Sequence, residues 1–519
     1  MSEYRNPVLR ADWSDPDVVR VGADFYLVAS SFNRAPGLPI LHSRDLVNWS
    51  ILGHALPRLV PEEFFAVPRH GCGVWAPALR HHDGRFWIFY PDPDHGVHVT
   101  TAVDPAGPWT PPHLLKAGRG FIDPCPLWDE DGSAYLVHAL AKSRAGVNNR
   151  LVCHRMSPDA TELLDEGTVI VDGDTLSGYR TLEGPKFYRR DGWYYVFAPA
   201  GGVTEGWQSV FRSREVFGPY EDRVVLAQGD TPVNGPHQGA WVTTVDGADW
   251  FLHFQDRGLF GRVVHLQPMR WTGDGWPEIG SPAGSPVLSH PAPAALSSTA
   301  PVAPATSDDF TGAELGPQWS WSANPRTGWW SRDPGRGLRL ECAATDADGD
   351  LRRLPNLLGQ RLPADGFRAA TSLRLSGAGT DGARAGLAVV GRTYAWAGLV
   401  ATPDGVHLVH RTAEVGGAER DTTSPVPVPV DDAGTTATIA LGVDVDADGR
   451  CRFSAGVDGE DPRPFGEPFT ATAGHWIGAT LGLFATAPTG SGTRAAAHMP
   501  AFEVTDGSPL SADARADRG

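Results

Sequence analysis

The sequence predicts an all-β protein, a five-bladed β-propeller followed by a β-sandwich domain. Three observations carry that expectation. A turn-plus-aromatic-strand phrase occurs five times at intervals of roughly 50 to 60 residues, the length of one four-stranded blade. A Pro/Ala/Ser-rich stretch then breaks the pattern, and beyond it alternating apolar and polar runs resume between Gly-rich turns.

The repeated phrase is a small Asp or Gly turn followed by aromatic-rich β residues. It reads Gly22-Ala23-Asp24-Phe25-Tyr26-Leu27, Asp83-Gly84-Arg85-Phe86-Trp87-Ile88, Asp131-Gly132-Ser133-Ala134-Tyr135-Leu136, Asp191-Gly192-Trp193-Tyr194-Tyr195-Val196 and Gly247-Ala248-Asp249-Trp250-Phe251-Leu252. Asp-Gly before an alternating aromatic run is a hairpin signal. Several copies carry a second element, a Pro or Asp turn ending in an aromatic: Asp45-Leu46-Val47-Asn48-Trp49, Asp104-Pro105-Ala106-Gly107-Pro108-Trp109 and Phe217-Gly218-Pro219-Tyr220. A single sandwich with Asp-Gly hairpins is the competing reading, and regular spacing over five copies favours the propeller.

These signals place the propeller in residues 1–282 and an extended connector in 283–306, rich in Pro, Ala and Ser. A sandwich follows in 307–506, with strand-like runs such as Leu338-Arg339-Leu340-Glu341, and residues 507–519 read as a small, polar, disordered tail.

Bulk properties remove several function classes. A chain of 519 residues is too long for one core. The net charge of −17 argues against a nucleic-acid or anionic-membrane partner and favours solubility. Five scattered cysteines, at 72, 125, 153, 342 and 451, suggest neither a disulfide framework nor a zinc cluster. Residues 1–10 contain no apolar signal region and no run of about 18 apolar residues follows, so a cytoplasmic protein is expected. Self-association is left open.

Three acidic landmarks lie at matching points of the repeat: Ser14-Asp15-Pro16-Asp17-Val18, Ile122-Asp123-Pro124 and Glu183-Gly184-Pro185, with the carboxylates 108 and 60 residues apart. Any one alone reads as a turn residue. In a closed ring, equivalent blade positions converge on the axis, so the three carboxylates are expected to meet. Glycoside hydrolysis needs two carboxyl groups, one protonated and one ionised, and a third can tune the proton donor.

With these motifs the chain resembles glycoside hydrolase family 43, over nearly its whole length, in the β-xylosidase / α-L-arabinofuranosidase-like branch with a C-terminal β-sandwich. The resemblance implies Asp15 as general base, Asp123 as the carboxylate that tunes the acid, and Glu183 as general acid. Neighbouring Asp12 and Asp17 fall off the motif. It further implies substrate contacts from Phe32 in Ser30-Ser31-Phe32, Trp75 in Gly73-Val74-Trp75-Ala76-Pro77 and Arg262 in Gly261-Arg262-Val263. His237, in Asn234-Gly235-Pro236-His237-Gln238-Gly239, matches an axial His that binds calcium or water in relatives, with a hydrogen-bonded core His as the alternative. The chemistry requires no cofactor; a structural calcium near the axis is the one metal this match raises. The chain departs from the pattern at two places: Asn33-Arg34-Ala35 replaces aromatics, and Lys186 stands where many relatives carry His.

The resulting expectation is an exo-acting, inverting glycosidase that releases a terminal pentose, β-D-xylose first and α-L-arabinofuranose second, from short oligosaccharides. A non-catalytic carbohydrate-binding propeller is the rival. Asp444-Val445-Asp446-Ala447-Asp448-Gly449 imitates a calcium loop, but Ala455 stands where the closing Glu belongs, so a hairpin turn is expected, and Asp346-Ala347-Asp348-Gly349 is read likewise. Trp319, Trp321, Trp329 and Trp330 could form a sugar platform, although buried core is the commoner fate of such residues.

Overall fold

The computed structural model describes residues 3–294, 302–345, 349–377, 379, 382–415, 419–491 and 494–506. They fall into two compact units. One holds the described residues of 1–61, 69–257 and 261–304, the other those of 62–68, 258–260 and 305–519.

The first unit is the propeller: five four-stranded antiparallel sheets, each with its strands in sequence order, spanning residues 17–56, 78–117, 121–172, 186–227 and 237–279. The repeated aromatic phrases are the second strands, Asp24–Val28, Arg85–Asp92, Ala134–Leu140, Trp193–Ala200 and Asp249–Asp256. Asp83 and Gly84, and again Asp191 and Gly192, all have φ between 50° and 72°, the two left-handed positions of a tight hairpin turn. The second repeated element lies between third and fourth strands. There Trp49, Trp109 and Tyr220 turn back and donate to the carbonyls of Leu46, Pro105 and Val216. Alternate side chains of neighbouring blades fill the core, with Phe89, Val97, Leu136 and Met156 in one cluster and Tyr195, Phe197, Phe251 and Trp276 in another.

The ring is closed by the N-terminal segment. Val8 and Leu9 pair with Val264 in the third strand of the last blade. The Asn6 amide donates to the carbonyls of Leu266 and Val287 at 2.8 Å, and its oxygen accepts from the Leu266 N–H at 2.8 Å. Part of the expected connector is thereby ordered: Ser289–Pro291 is a strand paired with Glu3–Arg5.

The second unit is a sandwich of an eight-stranded and a nine-stranded sheet. Trp319, Trp321 and Trp329 are buried in its core, so three of the four tryptophans form no exposed platform. Asp446 accepts the N–H groups of Asp448 and Arg450 in a hairpin turn, as expected. The Asp346-Ala347-Asp348 segment and the tail from 507 lie outside the described residues.

Candidate active site

Each of the five innermost strands begins beside one of the residues singled out in the sequence. Asp15 precedes Asp17–Val21, Trp75 precedes Ala78–His82, and Asp123 lies near the start of Phe121–Trp128. Glu183 precedes Lys186–Arg190, and His237 opens His237–Thr243. Asp15 and Asp123 have φ of 56° and 57°, a left-handed conformation uncommon for non-glycine residues and typical of strained functional positions. At Asp123 the strand pairing slips between Ile122 and Cys125, a bulge that re-aims the carboxylate.

Asp15 is buried and held by donors. Arg262 Nη1 lies 3.1 and 3.2 Å from its two oxygens, and Ser30 Oγ donates to Oδ2 at 2.6 Å. Arg262 is placed in turn by its backbone N–H, which donates to Asp12 at 3.0 Å, and its guanidinium lies over the Phe254 ring. Asp12 therefore supports the site from behind. Asp17, fully buried, accepts from the Leu79 N–H and from Arg80 at 2.9 and 2.8 Å, a structural role in the axis.

Asp123 and Glu183 form a pair. Asp123 Oδ2 accepts the Gly184 N–H at 2.8 Å, and Gln238 Nε2 reaches Oδ1 at 3.4 Å. Burial, then the Glu183 charge, push the Asp123 carboxyl up to about 7. Two adjacent carboxylates do not readily ionise together, so the pair tends to hold a proton. Glu183 is the more open member, its side chain 23% exposed while Asp123 is 4% exposed. Its Oε1 lies 2.9 Å from His237 Nε2. Gly184 has φ 61°, and a Cβ there would meet Gln238 and Pro199 at 3.0 Å, which explains the glycine of Glu-Gly-Pro.

His237 Nδ1 is buried with no hydrogen-bond partner among the described residues. Among those residues no group of three or more His, Cys, Asp or Glu could hold a metal ion. Calcium takes six to eight oxygen ligands, so this lone imidazole nitrogen suits a water better than that cation.

Phe32 and Trp75 form an aromatic pair, with ring centroids 6.2 Å apart. Phe32 exchanges backbone hydrogen bonds with Val74 at 2.8 and 3.0 Å. Gly73, φ 92°, leaves no room for a Cβ, which would fall 2.3 Å from the Phe32 carbonyl. Arg144 covers Trp75, its guanidinium 5.3 Å from the ring centre. These contacts join Asp15 to Arg262, Asp123 to the Glu183–Gly184 turn, Glu183 to His237, and Phe32 to Trp75. Ser30, Gln238 and Arg144 were not assigned there, because single polar residues carry no periodic signal of what they will touch. The arrangement supplies a carboxylate oriented by two donors, a carboxyl pair able to hold a proton, and an aromatic pair on which a sugar ring can pack.

Residues 4–277 match the glycosyl hydrolases family 43, and residues 307–505 match the β-xylosidase C-terminal concanavalin A-like domain. The chain is 38% identical to a protein of Xylanibacter ruminicola provisionally named a β-xylosidase, over 93% of this chain and 86% of that one. It is 30% identical to a β-xylosidase of Formosa agariphila, over 93% and 87%. It is 32% identical to a non-reducing end α-L-arabinofuranosidase of Bacteroides ovatus, over 71% and 70%. A GH43 protein structure from Bacillus licheniformis superposes with a TM-score of 0.82 at 26% identity, covering 98% of this chain and 100% of that one. The chain belongs to glycosyl hydrolase family 43 and is a glycosidase acting on carbohydrate, built as a five-bladed propeller with a C-terminal concanavalin A-like sandwich.

Proposed function

We propose that the protein is an exo-acting, inverting β-xylosidase that removes terminal D-xylose from the non-reducing end of short xylo-oligosaccharides. The observation that carries this reading is the meeting of Asp15, Asp123 and Glu183 at the head of three inner strands, each in a different setting. Asp15, with Arg262 and Ser30 donating to it, is the acceptor that draws a proton from water as the water attacks the anomeric carbon. Glu183, the open member of the carboxyl pair, protonates the departing glycosidic oxygen. Asp123, buried beside it, shares that proton, and its ionised form disfavours ionisation of Glu183 by like-charge repulsion. Phe32 and Trp75 pack against the sugar, and Arg262 reaches its hydroxyls from the Asp15 side.

The xylose assignment is supported by the β-xylosidase names of relatives that align over both domains. α-L-Arabinofuranose is the second reading, favoured by the Bacteroides ovatus relative. Parallel assays on aryl β-D-xyloside and aryl α-L-arabinofuranoside test it: faster turnover of the xyloside is expected. A preference for the arabinofuranoside would transfer the assignment, and activity on neither would remove it.

A further inference from the structure

The turn that carries Glu183 is held under strain by its neighbours. Thr181 has φ 52° and Gly184 has φ 61°, so left-handed residues stand on both sides of the acid. That conformation is rare for a β-branched residue and persists only where surrounding contacts impose it. Three successive N–H groups supply those contacts, each with its own acceptor. Leu182 donates to Asn149 Oδ1 at 2.9 Å, Glu183 to the Pro199 carbonyl at 3.1 Å and Gly184 to Asp123 Oδ2 at 2.8 Å. Pro199 belongs to the blade that Glu183 opens, whereas Asn149 and Asp123 come from the blade before it. Asn149, just before the strand Arg150–Met156, has no part in the reaction as described.

Asn149 is itself fixed on every side. It is buried, with φ 63°, a conformation that Asn tolerates better than most residues. Its Nδ2 donates to Asp174 Oδ1 at 2.8 Å and reaches the Tyr179 carbonyl at 3.4 Å, and its own carbonyl accepts the Gly173 N–H at 2.8 Å. Gly173 packs so closely that a Cβ there would fall 2.6 Å from Asn149 Oδ1. The partners also set the direction of the amide. The Leu182 N–H can only donate and an ionised Asp174 can only accept, so the oxygen must face Leu182 and the nitrogen Asp174. An Asp here would set two carboxylates against each other, and an Ala would leave the buried Leu182 N–H unpaired.

We propose that Asn149 is a positioning residue for the general acid: by holding the Leu182 N–H it fixes the turn beneath Glu183, and so sets where that carboxyl meets the departing oxygen. The proposal rests on the acid role assigned to Glu183 above. The Glu183 side chain is steadied at its tip by His237 at 2.9 Å, and its base is placed by the backbone that Asn149 anchors. A turn released from Asn149 would let the carboxyl drift from the oxygen it must protonate, while Asp15 keeps its own contacts with Arg262 and Ser30.

The test uses three variants of the full chain. Asn149→Gly keeps the left-handed backbone and deletes the amide. Asn149→Asp/Asp174→Asn exchanges the two side chains, returning an acceptor for Leu182 and a donor opposite it. Asp174→Ala, at an exposed carboxylate, loosens the amide without opening the core. Each is assayed on phenyl β-xyloside, which needs acid assistance, and on dinitrophenyl β-xyloside, which does not, with thermal unfolding as the check on folding. Asn149→Gly should lower kcat on the phenyl substrate by about tenfold to a hundredfold, the scale of a misplaced catalytic group, with KM little changed. Its loss on the dinitrophenyl substrate should be much smaller. Asp174→Ala should show the same selective loss in weaker form, and it decides the matter if Asn149→Gly fails to fold. The double exchange should recover most of the phenyl activity. Equal losses on both substrates, no loss at all, or a double exchange no better than Asn149→Gly would overturn the proposal, because a merely structural Asn149 has no reason to discriminate between leaving groups. Equal losses for Glu183→Gln on the two substrates would instead strike the acid role beneath it.

Discussion

The Arg262 guanidinium lies 3.1 and 3.2 Å from the two oxygens of Asp15, so the last blade holds the carboxylate that the first blade presents. The same turn of chain pairs Leu9 with Val264, so closing the ring and orienting the acceptor are one structural event. Arg262→Ala should therefore lower kcat/KM on aryl xylosides by about a hundredfold, the range of a lost positioned charge contact. The change should appear with only a small fall in thermal stability. Near-wild-type kcat/KM would show that Asp15 is oriented without it.

Asp15→Asn and Glu183→Gln should each reduce turnover of xylo-oligosaccharides by about 10²–10⁴-fold, the usual contribution of a general acid or base. The two should differ on activated substrates. Glu183→Gln should be milder on aryl glycosides with good leaving groups, whereas Asp15→Asn should be severe on both. Equal losses for Glu183→Gln across leaving groups would count against its role as acid.

An inverting site leaves space for water between base and sugar, so the Asp15 and Glu183 carboxyls are expected roughly 6.5–9.5 Å apart in a substrate complex. Proton NMR of the first turnovers on a β-xyloside should show α-xylose, with the β anomer arising only by mutarotation. Initial β-xylose would place a covalent intermediate on the enzyme instead.

Asp123 couples function to stability with a definite sign. Burial and Glu183 raise its carboxyl to about 7, above the ordinary value near 4, so the folded protein binds this proton more tightly than the unfolded chain. That group's contribution is fully present below about pH 4 and is lost as pH rises toward about 7. Asp123→Asn removes the buried charge. The variant should melt higher than wild type at pH 8, by on the order of 1 kcal/mol or more, with the difference vanishing near pH 4. Its activity on unactivated substrates should fall and its basic limb move to lower pH. A variant less stable than wild type at every pH would mean that Asp123 mainly caps the bulge.

Asn6 makes three hydrogen bonds that close the ring. Asn6→Ala should cost about 1–2 kcal/mol, since it removes the side-chain partner of the Val287 carbonyl and of the Leu266 N–H, while the Leu266 carbonyl keeps the Tyr4 hydroxyl at 2.7 Å. Differential scanning calorimetry would read this as a lowered Tm, and an unchanged transition would place closure elsewhere.

Much of the propeller was legible because its signals are local. Asp83-Gly84 and Asp191-Gly192 announce hairpins by their own backbone preference, and the aromatic runs behind them alternate with the period of a strand. The acids were legible only through their place in that repeat. Ser30, Gln238 and Arg144 were not, since each acts through a tertiary contact with a residue distant in sequence: Ser30 on Asp15, Gln238 on Asp123, Arg144 on Trp75. The pairing of Ser289–Pro291 with Glu3–Arg5 was hidden for another reason. Its partner is nearly three hundred residues away, and Pro-rich composition reads as linker whether or not a strand lies opposite.

The placement of one residue at the head of each inner strand has a consequence for how such a chain can change through descent. Loops far from the axis can lengthen or drift with no effect on the chemistry, because no reacting group depends on them. The blades themselves are not interchangeable units. Copying, deleting or reordering one would remove an acid, an aromatic wall or the imidazole beside Glu183 outright. A fold that looks like a simple tandem array is thus frozen at five non-equivalent parts, and innovation is confined to its rim.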